Sequence, residues 1–278
     1  MFKNFSNVQN ILPPAKNPFT PSHIYLPQNT TQLHSVVLYF SVILANSIFL
    51  YFLIFKDKLL YSRISLMKFE IKDKNWKRYN LFWHYINNLR NVLSVTCDID
   101  ITKFLPYIKS KGYRFYPSFM WTVCKIINTH EEFRLGWDEN NQVGVYDIIH
   151  PYFAHFFKED EMCALFVAEY NENLEVFHNN FVNIIDKYKD CRAFDFKNVP
   201  PNVFNVSCLP WINYKNFDIH VFDEGKYLAP VITWGKYVEK NGRITLPFSF
   251  NIHHAAADGY HLSRFFIELQ ELLNSFED

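Results

Sequence analysis

In residues 243–254 every second position is apolar: Ile244, Leu246, Phe248, Phe250 and Ile252 share one parity. A period of two puts those side chains on one face of a β-strand. Directly afterwards the period changes. Across residues 260–276, Leu262, Phe265, Phe266, Leu269, Leu272 and Leu273 recur at helical spacing and line one face. A strand and a helix that each need one face buried, joined by a short junction, demand a fold that mixes α and β layers. The junction is His253-His254-Ala255-Ala256-Ala257-Asp258-Gly259. His254 continues the apolar parity, so alternation turns it to the buried side and His253 to the other. An imidazole partly removed from water stays neutral and can accept a proton near pH 7, the state a general base needs. Read alone, a buried histidine such as His254 is more often a satisfied core residue, and Asp258 either anchors the junction through an ion pair or caps the final helix.

The same mixture runs back through the chain. Helices are expected at 75–88, at 116–129 after a break at Gly112, and at 171–188. Strands are expected at 92–101, 202–206, 217–222 and 227–237, and Asn241-Gly242 is a tight-turn signal leading into 243–254. Composition narrows the chemistry. The formal net charge is zero, which gives a nucleic-acid role no electrostatic support. Only 7 glycines are present and neither common phosphate-binding glycine pattern occurs. The five cysteines are odd in number and form no C-x-x-C pair, so neither a zinc site nor a disulfide framework is expected.

Residues 1–33 are polar and proline-rich and read as a loose leader. Residues 36–55 form an uncharged run with the length of a bilayer-spanning helix. Lys56, Lys58, Arg63 and Lys68 follow the run, whereas 19–33 contain no Lys or Arg, so an anchored chain would keep everything downstream in the cytoplasm. Met67 opens a new composition and looks like a natural start. Residues 1–66 are thus either a leader with a membrane anchor or an upstream extension, and 67–278 is the expected catalytic domain. A reducing cytoplasm suits its free thiols.

The junction, continued by Tyr260-His261, resembles the active-site motif of chloramphenicol acetyltransferases, a signature shared with dihydrolipoyl acyltransferases and peptide-synthetase condensation domains. Five further blocks are similar to the first family and stand in the same order. They are Asn75-Trp76-Lys77-Arg78 with Phe82 and Tyr85, then Tyr116-Pro117, Glu132-Phe133-Arg134, Asn205-Val206-Ser207-Cys208-Leu209-Pro210-Trp211, and the run from Pro230 to Tyr237. The resemblance covers roughly 67–278 and nothing in 1–66.

The resemblance implies a two-layer α/β sandwich with a mixed sheet, of the coenzyme A-dependent acyltransferase type, assembled as a homotrimer with active sites between subunits. It implies that His254 takes the acceptor hydroxyl's proton while that hydroxyl attacks acetyl-CoA directly, without an acyl-enzyme or a metal. Ser207 would hydrogen-bond the developing oxyanion, and Asp258 would pair with Arg78 to hold the loop. Tyr85, Leu89, Cys163 and Thr233 would line the acceptor pocket, and Arg114, Trp211 and Tyr237 the coenzyme A channel. Two blocks depart from the family pattern: Asn91-Val92-Leu93-Ser94, and Asp160-Glu161-Met162-Cys163-Ala164, where Cys163 replaces an aromatic ring. Both fall on the acceptor side. The acceptor is therefore chloramphenicol or another small hydroxyl or thiol compound. A non-catalytic, membrane-anchored relative is the third reading, and the retained His254, Ser207, Asp258 and Arg78 oppose it.

Overall fold

A computed structural model describes residues 67–190, 199–221 and 223–277, and in it the alternating segment is strand β10 (Arg243–His253). It pairs antiparallel with β2 (Val92–Asp100) over most of its length and with β8 (Val231–Gly235) over part of it. β8 runs parallel to β7 (Val203–Leu209), β7 parallel to β5 (His150–Phe157), and β5 antiparallel to β6 (Met162–Val167). The strand order β2-β10-β8-β7-β5-β6 is a mixed sheet, with β9 (Val238–Lys240) paired to the start of β10. Asn241 and Gly242 join those two with φ of 53° and 74°. Paired positive φ at adjacent residues is what a two-residue hairpin turn requires and what Asn-Gly supplies most readily. A second small sheet is made by β1 (Phe69–Ile71), β4 (Val143–Tyr146) and β3 (Leu135–Trp137).

Helices cover one face of the large sheet. They are α1 (Tyr79–Asn87), α2 (Phe104–Ser110), α3 (Phe115–Thr129), α4 (Leu174–Tyr188) and α5 (Gly259–Asn274). Phe119 of α3 meets Trp234 and Phe248 edge-on, and Phe265 of α5 packs on Phe248 and Phe250. These are the even-numbered residues of β10, as its alternation requires. Phe119, Trp234, Phe248, Phe250 and Phe265 are all fully buried. Burying one such ring is worth roughly 2–3 kcal/mol, so this aromatic stack fixes the register of α5 on the sheet.

The opposite face is polar, and Thr233 and Ser249 at its centre are fully buried. Thr96, Ser249, Thr233 and Ser207 lie side by side on four neighbouring strands. The segment from Tyr214 to Asp218 lies over this row. Tyr214 Oη donates to Thr233 O (2.8 Å), Thr96 Oγ1 donates to Asn216 (3.0 Å), and Ser94 bonds Asp218. Hydrogen bonding from a loop replaces the water those groups would otherwise need.

That covering segment accounts for the departures from sequence expectation. Residues 217–221 form no strand; within them Asp218 accepts from Ser94 of β2 and from Asn216 beside it. The strand expected at 227–237 is confined to Val231–Gly235. Since β10 is covered on both sides, the expected contrast between its two terminal histidines is reversed: His253 is 4% exposed, whereas the His254 side chain is 17% exposed. The apolar run at 36–55 lies outside the described residues. Among the described residues no helix is long and apolar enough to cross a membrane.

Candidate active site

β10 ends at His253, and the chain turns through three alanines into α5. Ala255, Ala256 and Ala257 are completely buried, so the turn has no room for larger side chains. His254 stands one residue past the strand. Its backbone N–H donates to Asn91 O (2.9 Å), tying the turn to the start of β2. Its ring stacks on Tyr85 of α1, with centroids 3.9 Å apart and planes 17° apart. Nδ1 lies 3.1 Å from Ala257 O. A carbonyl oxygen only accepts, so Nδ1 carries the proton and the lone pair of the neutral ring is on Nε2. The local backbone thereby selects the tautomer that presents a basic nitrogen away from the turn.

Arg78, directly before α1, holds the turn from below. Nη1 and Nη2 donate to the two oxygens of Asp258 at 2.6 and 2.7 Å. Nε donates to Ala255 O (2.7 Å) and Nη2 also to His254 O (2.8 Å). One planar guanidinium thus fixes a carboxylate and two consecutive carbonyls, a geometry lysine could not reproduce. Hydrogen bonding from Arg78 holds the Asp258 carboxyl below its usual range, against a smaller upward push from burial. Asp258 is also the first residue of the α5 cap, and its N–H donates to His261 Nδ1 (2.9 Å). Burial lowers the His261 pKa, which keeps that nitrogen available as an acceptor. Both readings of Asp258, anchor and cap, therefore hold together.

A second group of expected site residues gathers elsewhere on the sheet. Ser207 pairs in register with Thr233, and Thr233 with Ser249. Thr233 is fully buried, and its Oγ1 has no hydrogen-bond partner among the described residues. Beyond Ser207 the chain reaches Trp211, 57% exposed, whose ring meets Phe156 edge-on. Lys236 N donates to Ile212 O, which brings the Trp211 segment beside Tyr237. Tyr237 packs on Phe115, the neighbour of Arg114, and Arg114 N donates to His178 Nε2 (2.9 Å). Burial pushes the Cys208 thiol up to about 12, so the residue beside Ser207 stays protonated and is no competing nucleophile.

The two groups do not meet within one chain. Ser249, which marks the Ser207 row on β10, precedes His254 by five positions, about 16 Å of extended strand. Ser207 lies two strands away from β10, a further lateral step of about 10 Å. Leu89 follows α1 and is 54% exposed, and Cys163 is exposed on the edge strand β6. Instead, a cavity of about 380 Å³ adjoins the turn after β10, walled by Asn91, Val92, Ile219, Val231, Asn251 and His253 among others. Asn251 was not singled out from sequence, and His253 entered only as the first residue of the junction motif, with no role assigned.

The mixed sheet with its helical layer and the HHxxxDG turn define a coenzyme A-dependent acyltransferase. A chloramphenicol acetyltransferase family model matches residues 67–270. Chloramphenicol acetyltransferases of Clostridium perfringens and Staphylococcus aureus are 38% and 35% identical to the chain. Their alignments cover 76% and 75% of the chain and 97% of each relative. The chain belongs to the chloramphenicol acetyltransferase family. A solved chloramphenicol acetyltransferase superposes with a TM-score of 0.66 at 22% identity, covering 74% of this chain and all of that one. The dihydrolipoamide acetyltransferase of Azotobacter vinelandii superposes at 0.54 and 16% identity, over 71% of this chain and 86% of that one, a likeness of fold.

Proposed function

We propose that the chain, as a homotrimer, transfers the acetyl group of acetyl-CoA to a hydroxyl of chloramphenicol, with His254 as general base. The observation that carries this is the Nδ1 contact with Ala257 O, which leaves Nε2 as the proton-accepting nitrogen. The acceptor hydroxyl gives its proton to Nε2 as its oxygen attacks the thioester carbonyl carbon. The Ser207 hydroxyl donates to the carbonyl oxygen as charge develops there. One such donor is typically worth about 3 kcal/mol of barrier. The C–S bond then breaks and the imidazolium returns its proton to the departing sulfur, giving the ester and free coenzyme A.

Arg78 and Asp258 touch no reacting atom in this scheme; they position the turn that carries His254. Arg114, Trp211 and Tyr237 bind coenzyme A, and Tyr85, Leu89, Cys163 and Thr233 contact the acceptor. The trimer is supported by the gap between the His254 and Ser207 groups, which a second copy of the chain would bridge. Residues 67–278 form the catalytic domain, and the cytoplasm is where acetyl-CoA is at hand. The test is coenzyme A release from acetyl-CoA by the full chain, with and without chloramphenicol, together with light scattering. Chloramphenicol-dependent release by a particle of three chains is expected. Release independent of chloramphenicol, or a fully active monomer, overturns it.

A further inference from the structure

The His254 ring is held through a single peptide group. His254 Nδ1 donates to Ala257 O (3.1 Å), and the Asp258 N–H donates to His261 Nδ1 (2.9 Å). Ala257 O and Asp258 N belong to one peptide, which is planar and trans, so its carbonyl and its N–H point in opposite directions. An imidazole therefore stands at each end of the Ala257–Asp258 peptide, one as donor and one as acceptor. Arg78 bonds His254 O, Ala255 O and the Asp258 carboxylate, and none of those atoms lies in this peptide.

The two rings are opposite tautomers. His254 carries its proton on Nδ1, whereas His261 accepts at Nδ1 and carries its proton on Nε2. Burial lowers the His261 pKa, helped by Arg78 and Arg264 and opposed by the Glu132 and Asp258 carboxylates, so the ring keeps its lone pair. An acceptor on a peptide N–H polarises the whole group and makes its oxygen the better acceptor. Rotating the peptide plane would break both bonds together. The Asp258 N–H would lose its partner, and His254 would be free to take the other tautomer.

We propose that His261 is a positioning residue for the base, fixing the orientation and tautomer of His254 through the Ala257–Asp258 peptide. It acts through that peptide and touches no reacting atom. His261 lines a second cavity, of about 370 Å³, with Trp76, Arg78, Leu81 and Glu132 among others. None of the residues assigned to the acceptor or to coenzyme A is in that wall. Losing the His261 acceptor should therefore be felt in turnover and not in substrate binding. The inference rests on the acyl-transfer reading above.

The experiment compares His261→Asn with His261→Leu in the full chain, reading coenzyme A release from acetyl-CoA with chloramphenicol, and the melting temperature. Asn places Oδ1 where the ring places Nδ1 and so keeps the acceptor, whereas Leu is nearly isosteric with Asn and lacks it. His261→Leu should lower kcat at least about tenfold, with both KM values within about twofold of wild type. His261→Asn should keep kcat within about threefold of wild type. Equal kcat in the two variants, or a loss carried by KM, overturns the assignment. Should the Leu variant fail to fold, His261→Ala, a good helix former, repeats the acceptorless arm. If neither folds while the Asn variant does, the ring serves the fold and the assignment is overturned. No release by the wild type overturns the acyl-transfer reading and the inference with it.

Discussion

The two ends of the polar sheet face are built in opposite ways. The His254 turn itself is tied down: the ring is stacked on Tyr85 and bonded to Ala257 O, and Arg78 donates to Asp258 and two carbonyls. Around Ser207, Thr233 Oγ1 has no partner among the described residues, and Trp211 and Tyr237 are 57% and 39% exposed. One chain therefore fixes the proposed base and leaves the proposed oxyanion and coenzyme A side open. A group that must hold one tautomer has to be fixed before substrate arrives, whereas groups that bind a large substrate gain their partners from it.

The sharpest way to break this comparison is at the base. His254→Ala should reduce turnover by about 10⁴-fold while the melting temperature hardly changes, read by coenzyme A release and calorimetry. Unchanged turnover would remove the base assignment. Ser207→Ala comes next, with an expected loss of about 10²-fold in kcat. Co-expressing the two variants should then restore activity above either alone, since mixed oligomers join an intact His254 to an intact Ser207. No restoration would mean that both groups serve the same site from one chain.

The anchor should matter less. Asp258→Asn leaves the Arg78 guanidinium without its carboxylate and should lower kcat about tenfold through a displaced turn. Because the Asp258 carboxyl is held below its usual range, its stabilisation is present above about pH 4 and is lost as pH falls through the depressed value. The variant should lack that acid step in melting temperature. The smallest effect on turnover is expected at His150, which is in neither group. It is 4% exposed, its Nδ1 accepts the Tyr170 N–H, and burial lowers its pKa to about 4. The unfolded chain protonates this residue near 6.5 and the folded one resists, so stability should fall by about 3 kcal/mol from pH 6.5 to 4. His150→Gln should flatten that slope in denaturant titrations and leave neutral-pH turnover nearly unchanged.

The fold was legible where one face of an element is apolar and the other polar. β10, α5 and α4 fall within a few residues of expectation for that reason, and the Asn241-Gly242 turn is stated by two residues. β5 and β6 were not foreseen. His150–Phe157 is aromatic on both parities and lies inside the sheet, where alternation carries no signal. Short helix α2, with Pro106 inside it, also escaped notice. For the candidate site, the motif named His254 and Asp258, and similarity to the family joined Arg78 to them across the chain. It could not reveal that His253 is the more buried histidine, because the cover over it is an irregular segment held by side-chain hydrogen bonds.

Arg78 and Asp258 are 180 residues apart, and among the described residues β2 pairs only with β10. This spacing sets an order of events during synthesis. A growing chain carries Arg78 and the first residues of β2 long before the turn they hold has been made. Until the last helix emerges, a guanidinium with several donors and an unpaired strand edge must wait in solvent, and long-range closure of this kind is slow. The catalytic turn is thus among the last parts of the domain to form, and a chain truncated before Asp258 has no means of assembling it. Until residues 254–258 are made, Arg78 is present without the carboxylate and carbonyls it holds in the folded domain.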